Sequence, residues 1–350
     1  MKRRTYLAGT LAAAARLVVP GSVLALTGCD SSGARDAITR FSGPTMGTAY
    51  RVSLAEQLSA SETETLRVGV EAALGRVDAL MSTYRSESEL SRFNASAAGT
   101  WIGVAADTAS VIAEAQRTGS ISGGAFDATV GPLVDLWGFG PRHGAGVPSD
   151  EAIADASALI GSEAFRFDSE RGTIRKSRDG LQVDLSGVAK GYAVDLVAAH
   201  LDAAGLDSYL IDVGGELEAR GRKKDGSLWR IGIERPLSGR RQVQRVVVMD
   251  GGAVATSGDY RNFFEREGRR FSHTIDPRTG RPVEHALGSV SVMADRAMTA
   301  DALSTAMMVL GPDEGMALAE RLDLPALFLL RGQDEIVERA TPGFVDRIVA

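Results

Sequence analysis

The sequence has little sulfur and few aromatic rings, with one cysteine, Cys29, and 6% aromatic residues among its 350 residues. A single thiol forms no internal disulfide, and if it carries a lipid, none is left for metal ligation or nucleophilic catalysis. An excess of positive charge is also absent, because 45 acidic residues outnumber 39 basic ones and the formal net charge is −6. Nucleic acid is therefore a poor fit as a partner, since phosphate backbones bind basic surfaces. The remaining composition, 44% hydrophobic and 24% charged, is that of an ordinary globular protein.

The N-terminus lacks a convincing membrane span. The apolar segment 7–26 is interrupted by Arg16 and Pro20, which makes it too short and too broken to cross a bilayer comfortably. Basic residues precede this segment, and it ends in Leu-Thr-Gly-Cys at 26–29, which resembles the cleavage box of bacterial lipoproteins. We therefore predict a lipoprotein signal peptide and lipidation of Cys29, with a stray cysteine as the alternative.

This leader divides the chain into a signal peptide at 1–28, a lipidated cysteine with a flexible tether at 29–40, and one large domain at 41–350. Cleavage removes four cations and no acid, which takes the net charge from −6 to −10. The pair Arg3-Arg4 also resembles a twin-arginine signal, so Sec and Tat export both stay open. Asp30 resembles an inner-membrane retention signal. These features predict a lipid-anchored protein of the cell envelope, on the periplasmic face of the inner membrane.

Hydrophobic periodicity predicts a mixture of helices and strands. The predicted helices are 62–81, with a capping box at Ser61 and Glu64, then 107–119, 150–160, 192–204 and 299–310. The predicted strands are 181–185, 209–213, 229–233, 245–249, 253–256 and 289–293, with a hairpin turn at 250–252. Helices and strands do not alternate regularly, so we predict an α+β fold rather than a doubly wound sheet.

Residues 181–192 (LQVDLSGVAKGY) are the most informative segment. An apolar strand at 181–185 is predicted to enter a Gly-bracketed turn, followed by a helix near Tyr192. Backbone amides at a helix start, with Lys190 beside them, suit a phosphate. The carboxylate of Asp184 suits a metal or a polar ligand group. The alternative is an ordinary strand-to-helix turn with an exposed lysine.

Asp301 and Thr305 are four residues apart on the helix predicted at 299–310. Their oxygens project from one face, where a carboxylate and a hydroxyl could hold a hard cation such as Mg²⁺. The alternative is an acid favoured by the helix dipole and a threonine bonded to the backbone.

His273 is one of only four histidines and precedes a Pro-Gly turn. Imidazole titrates near neutrality and is a natural general base. The alternative is a histidine bonded within its own turn. Elsewhere, the paired glycines, aromatic ring and acid at 123–127 could grip a planar ring, or could form a tight turn with a core phenylalanine.

Seven blocks occur in one order along the chain. They are GPTMGT (43–48), MSTY with SRFN (81–84 and 91–94), GGAFD (123–127), DLSGVAKG (184–191), DVGGE (212–216), HTIDP (273–277) and ADALST (300–305). This set resembles the ApbE family, the FAD:protein FMN transferases. The resemblance covers roughly residues 41–340 and agrees with the lipoprotein leader.

The resemblance implies a single large mixed α/β catalytic domain of the ApbE type, with a T-fold-like core. It implies FAD as substrate and Mg²⁺ as cofactor, and transfer of FMN to a threonine or serine hydroxyl with release of AMP. By motif, the flavin-nucleotide contacts are Met46, Tyr84, Ala125, Phe126, Asp127, Asp184, Lys190 and Ile275. The metal ligands are Asp301, Thr305 and the backbone carbonyl of Gly187. His273 is our candidate for the base that deprotonates the acceptor hydroxyl.

The resemblance also implies partners: acceptor flavoproteins of membrane respiratory complexes, or flavin-carrying reductases. Two other functions stay open. One is a Mg²⁺-dependent FAD pyrophosphatase that yields FMN and AMP, because water could replace the acceptor hydroxyl at the same site. The other is a flavin-binding lipoprotein without turnover.

Overall fold

The computed structural model describes residues 38–141, 146–237, 239, 241–333 and 335–349. The predicted signal peptide, Cys29 and nearly all of the predicted tether lie outside the described residues. The helices are α1 (Ala60–Met81), α2 (Glu89–Ala95), α3 (Ala106–Ile121), α4 (Gly131–Leu136), α5 (Asp150–Ser157), α6 (Ser186–Ala203), α7 (Ala297–Arg321) and α8 (Pro342–Val345), with a 3₁₀ turn at Ser162–Ala164.

The strands are short and spread along the chain. In chain order they are β1 (Thr39–Thr45), β2 (Thr48–Leu54), β3 (Ile102–Gly103), β4 (Phe165–Asp168), β5 (Thr173–Lys176), β6 (Tyr209–Val213), β7 (Glu216–Arg220), β8 (Trp229–Glu234), β9 (Val243–Met249), β10 (Ala253–Gly258), β11 (Phe263–Arg266), β12 (Arg269–Ser272), β13 (Ile275–Asp276), β14 (Arg281–Pro282), β15 (Leu287–Ala294), β16 (Ala326–Arg331), β17 (Ile336–Ala340) and β18 (Ile348–Val349).

The main sheet is antiparallel and has the order β1-β2-β6-β7-β10-β15-β16-β17. Its two faces are both covered, so successive residues of a strand enter different cores. Ile211 packs in the core that also contains α1 and α6, whereas its neighbour Leu210 packs in a second core with β8 and β9. The predicted α+β class is confirmed.

Helix α1 begins earlier than predicted. The structure places its N-cap at Ser59, whose side chain accepts the Glu62 amide, while Glu62 reaches back to the Ser59 amide. The capping box therefore lies two residues upstream of the predicted pair, Ser61 and Glu64. The sequence contains two acidic candidates three residues after a serine, and pattern alone does not choose between them.

The strand predicted at 181–185 is wrong. This segment lies in no sheet, and within it Gln182 forms an isolated bridge with Val130. The Asn94 side chain takes the place of a neighbouring strand, since its amide donates to the Val183 carbonyl and its oxygen accepts the Val183 amide, both at 2.8 Å. The buried Lys176 ammonium donates to the Leu181 carbonyl at 3.1 Å. Side chains thus satisfy backbone groups that a strand would otherwise have to pair.

Helix α6 begins at Ser186, six residues before the predicted start. Gly187 and Lys190 therefore belong to its first turns and not to a preceding loop. A glycine at the second helical position does not prevent helix formation, because the first-turn amides have no intrahelical partner in any case.

The hairpin predicted around 250–252 is also wrong. Strand β9 pairs with β8 and β18, whereas β10 pairs with β7 and β15 in the main sheet. The turn therefore carries the chain from one sheet to another. Helix α7 has a kink at Gly311, at the predicted end, and then continues to Arg321. Within the described residues, no helix is long and apolar enough to cross a membrane.

Candidate active site

One cavity of about 410 Å³ gathers the residues that the seven blocks single out. Its walls come from the β1–β2 and β6–β7 turns, the start of α6, the middle of α7, and the segment between β12 and β13. All twelve predicted residues line it: Met46, Tyr84, Ala125, Phe126, Asp127, Asp184, Gly187, Lys190, His273, Ile275, Asp301 and Thr305. The structure therefore brings the predicted site together, while the role of each residue stays a prediction.

The β1–β2 turn presents Met46 to the cavity. Met46 and Gly47 are the two central residues of this hairpin, and both have positive φ angles, 42° and 71°. That combination is the one a tight hairpin requires. A positive φ angle is uncommon for a methionine, and such conformations cluster at ligand sites.

The start of α6 forms the floor of the cavity. The Asp184 carboxylate accepts the Ser186 amide at 2.8 Å, as an acid preceding a helix commonly does. Ser186 and Gly187 both line the cavity, which brings the positive end of the helix dipole to it. This arrangement suits an anionic group such as a phosphate.

Helices α6 and α7 cross closely at Gly191. A Cβ atom there would overlap the carbonyl oxygen of Ala297, so only glycine permits this distance. The Gly191 amide donates to Asp301 Oδ2 at 2.9 Å. In a regular helix the same amide pairs with the Gly187 carbonyl. The Asp301 carboxylate and the Gly187 carbonyl, both predicted metal ligands, therefore compete for the Gly191 amide.

The oxygens near this crossing fit a hard divalent cation. Thr305 Oγ1 lies 3.2 Å from Ser257 Oγ, and a Cβ at Gly187 would approach Thr305 Oγ1 to 3.3 Å. Asp301 thus offers a carboxylate next to a hydroxyl and a helix carbonyl. Among the described residues, no group of three His, Cys, Asp or Glu side chains could hold a metal by itself. Mg²⁺ commonly uses one carboxylate, with substrate phosphates and water as its other ligands.

The same end of the cavity concentrates charge. Lys190 Nζ lies 2.5 Å from Glu216 Oε1 and 3.8 Å from Asp301 Oδ1. Burial opposes the charged form of Lys190, but the two carboxylates outweigh it and raise its pKa. Burial raises the pKa values of both Glu216 and Asp301, in each case against the opposing effect of Lys190. We call Lys190, Glu216, Asp301 and Thr305 the charged wall.

A stack of aromatic rings supports another part of the cavity, and Phe139 and His273 are its members that line the cavity. Trp137, Phe271, Phe264 and Phe139 stack in succession, with centroids 5.1–5.7 Å apart, and Phe139 meets the ring of His273 edge-on at 6.3 Å. We call these five residues the aromatic wall. His273 Nδ1 lies 3.1 Å from the Asn262 carbonyl oxygen. A carbonyl only accepts, so Nδ1 carries the proton and the neutral ring keeps a lone pair on Nε2.

The pKa of His273 is lowered mainly by burial and further by the nearby Lys190, while the Asn262 carbonyl opposes the shift. The ring is therefore neutral at pH 7. A neutral imidazole with one free nitrogen can accept a proton from a hydroxyl group.

The two predicted aromatic contacts with flavin differ in burial. Tyr84 is 66% exposed, and its hydroxyl donates to the Phe139 carbonyl at 3.1 Å. Phe126 is 5% exposed, belongs to the main core and touches the cavity with one edge. Truncation of Phe126 should therefore reduce stability, whereas truncation of Tyr84 should hardly change it.

Sequence reasoning assigned no role to several cavity residues. Glu216 belongs to the DVGGE block, for which the sequence predicts no function, and its charge next to two glycines is the available signal. Thr256 and Ser257 come from β10, and Tyr260 follows that strand. These residues belong to no block, so the sequence offered no signal for them.

Comparison with known proteins agrees with this geometry. The model of the ApbE family matches residues 46–328. The FAD:protein FMN transferase of Vibrio cholerae is 42% identical over 329 residues, covering 94% of this chain and 97% of that protein. The FAD:protein FMN transferase of Escherichia coli K12 is 36% identical over 343 residues, covering 96% and 97%.

Solved structures give the same result. The flavin transferase ApbE from Vibrio cholerae superimposes with a TM-score of 0.81 at 40% identity, covering 89% of this chain and 99% of that one. The apo form of the Pseudomonas stutzeri flavinyl transferase ApbE gives 0.80 at 45% identity, covering 89% and 97%. The resemblance expected from the seven blocks is confirmed: the chain belongs to the ApbE family.

Proposed function

We propose that this protein is a Mg²⁺-dependent FAD:protein FMN transferase, which joins FMN to a threonine or serine hydroxyl of a target protein and releases AMP. The observation that carries the proposal is the single cavity lined by a helix start, hard oxygen ligands and a histidine with a free Nε2. The relatives named above carry the same activity in their names.

The reaction is a phosphoryl-group substitution. The acceptor oxygen attacks the FMN-side phosphorus of FAD, a new P–O bond forms, and the P–O bond to AMP breaks with its electron pair. His273 Nε2 takes the proton of the attacking hydroxyl. The Gly187 amide and the ammonium of Lys190 hold the negative phosphate oxygens, whereas the Ser186 amide is already bonded to Asp184. Asp301, Thr305 and the Gly187 carbonyl would hold Mg²⁺, which would supply positive charge against the pyrophosphate.

The aromatic side chains suit the other part of the substrate. The isoalloxazine ring is planar, and Tyr84 presents an exposed ring at the mouth of the cavity. Met46 adds a polarisable thioether from the β1–β2 turn. The flavin would therefore lie toward the aromatic side, with the pyrophosphate at the charged wall.

The decisive experiment incubates the mature chain with FAD, Mg²⁺ and a candidate acceptor domain. We expect flavin fluorescence to migrate with the acceptor in a denaturing gel, together with AMP in solution. An acceptor variant that lacks its hydroxyl is the control. Free FMN and AMP without labelled acceptor would instead identify a FAD pyrophosphatase, and unchanged FAD would identify a flavin-binding protein without turnover.

We also propose that Cys29 anchors the protein to the periplasmic face of the inner membrane, near acceptors in respiratory complexes or flavin-carrying reductases. The support is the Leu-Thr-Gly-Cys box before a polar tether. Cys29→Ser should release the protein from salt-washed membranes while its transfer activity is retained. Equal membrane fractions for variant and parent would refute the anchor.

A further inference from the structure

The DVGGE block at 212–216 forms the turn between β6 and β7, and the mechanism above gives it no role. Asp212 Oδ1 accepts the Gly215 amide at 3.1 Å, which fastens the turn. Gly214 and Gly215 have φ angles of 69° and 115°, and a Cβ at Gly214 would come within 2.9 Å of Thr48. The turn therefore requires glycine, and it fixes where Glu216, the first residue of β7, enters the cavity.

The carboxylate of Glu216 is buried, with only 3% of the residue exposed. Its Oε1 accepts a hydrogen bond from Lys190 Nζ at 2.5 Å, whereas its Oε2 is buried without a partner. The Lys190 ammonium lies 3.8 Å from Asp301 Oδ1, which is beyond hydrogen-bond distance. One cation is thus placed between two carboxylates and is bonded to only one of them.

We infer that Glu216 is a positioning residue, which holds the Lys190 ammonium away from Asp301 and so keeps that carboxylate free to bind a divalent cation. An ammonium in direct contact with Asp301 would compete with the cation for the same oxygen. The Asp301 side chain is almost fully buried, so water screens its charge poorly and such competition is strong. This inference deepens the proposed function and rests on it.

The charge balance points the same way. Lys190, Glu216 and Asp301 together carry one net negative charge when all three are ionised. A divalent cation then finds an attractive site, while Lys190 remains directed at the substrate phosphates. Without Glu216, the Lys190 ammonium loses its nearest anion, and Asp301 is then the one carboxylate of this group that is left to pair with it.

The test measures binding of Mn²⁺ alone, in the absence of FAD, from the electron paramagnetic resonance signal of free Mn²⁺. The mature chain is compared with Glu216→Gln, Lys190→Met and the double variant. The matched control is Glu218→Gln, which removes another largely buried carboxylate of β7. Burial also raises the pKa of Glu218, to about 8, but this residue does not line the cavity. Thermal melts accompany each variant.

We expect Glu216→Gln to raise the Mn²⁺ dissociation constant about tenfold in the parent, but less than about threefold when Lys190 is already methionine. Glu218→Gln should leave it unchanged. Equal weakening in both backgrounds would overturn the inference, because it would mean that Glu216 contributes only its charge. Parental Mn²⁺ binding by Glu216→Gln would overturn it as well.

A second variant covers the case in which Glu216→Gln does not fold. Glu216→Asp retains the charge but shortens the reach toward Lys190, so positioning predicts binding about threefold weaker than in the parent. Parental affinity in this variant would contradict the inference. FMN transfer by the parent is assayed in parallel. Normal Mn²⁺ binding without transfer would reject the proposed function and leave the Mn²⁺ comparison valid.

Discussion

The two walls of the cavity are stabilised by different forces. The charged wall is held by a close helix crossing and by buried polar contacts, such as the bond from the Gly191 amide to Asp301. The aromatic wall is held by stacked rings and short hairpins, with His273 at its end. A misplaced buried charge is costly, whereas stacked rings tolerate small shifts. We therefore expect changes in the charged wall to abolish function and changes to the stacked rings to reduce it by degrees, with His273 set apart by its proposed role as the base.

The largest effect is expected from Asp301→Ala. It removes the carboxylate that both helices position, and metal-stabilised charge develops mainly in the transition state, so turnover should fall about 10³-fold or more. FAD binding should be weakened far less. Turnover with saturating Mg²⁺ and FAD affinity measured on the same variant test this, with the exposed Asp295→Ala as control. Full activity of the variant after EDTA treatment would show that Asp301 is structural.

His273→Asn should lower the single-turnover rate about 10²–10⁴-fold with FAD and metal binding retained. The pH profile sharpens the expectation. Burial lowers the pKa of His273, so the parent rate should fall only as pH drops below the ordinary imidazole value of about 6.5. A midpoint above 6.5, or a near-parental rate of the variant at saturating FAD, would remove His273 from the mechanism.

Gly191→Ala tests whether the charged wall depends on the helix crossing. The added methyl overlaps the Ala297 carbonyl, so we expect a loss of about 1–3 kcal/mol in the free energy of unfolding and weaker Mg²⁺ activation. The matched control is Gly75→Ala in the interior of α1, where a Cβ meets nothing within 4 Å. That change should stabilise the protein by about 0.5–1 kcal/mol. Equal effects of the two changes would show that the helix crossing can accommodate a methyl group at position 191.

The smallest effect is expected from Tyr84→Ala. The ring is mostly exposed, so stability should hardly change, while FAD should bind about two- to tenfold more weakly through loss of a stacking contact. Phe126→Ala is the contrast, since a core phenylalanine costs about 3–5 kcal/mol of unfolding free energy when truncated. Calorimetry with and without FAD separates the two. A large loss of stability in Tyr84→Ala would assign that ring to the core.

The sequence was most informative where chemistry requires particular residues at fixed spacing. Asp301 and Thr305, one helical turn apart, were recognisable as a pair, and they do line the cavity together. The α+β class followed from the irregular order of helices and strands.

The errors have a common physical cause. The residues 181–185 have the pattern of a strand, but several of their backbone groups are bonded to the side chains of Asn94 and Lys176, which no local pattern reveals. The turn at 250–252 looks like a hairpin, but tertiary packing sends its two strands to different sheets. In the same way, Glu216 acquires a role only because the fold brings it to Lys190, 26 positions away along the chain.

The contact between Asn94 and Val183 has a consequence for folding kinetics. It joins positions 89 residues apart and holds the segment that ends in Asp184. Closing so long a loop costs entropy before any contact is gained, and contacts of this range slow folding. The cavity is lined by residues from Met46 to Val309, so it is complete only after distant parts of the chain have come together.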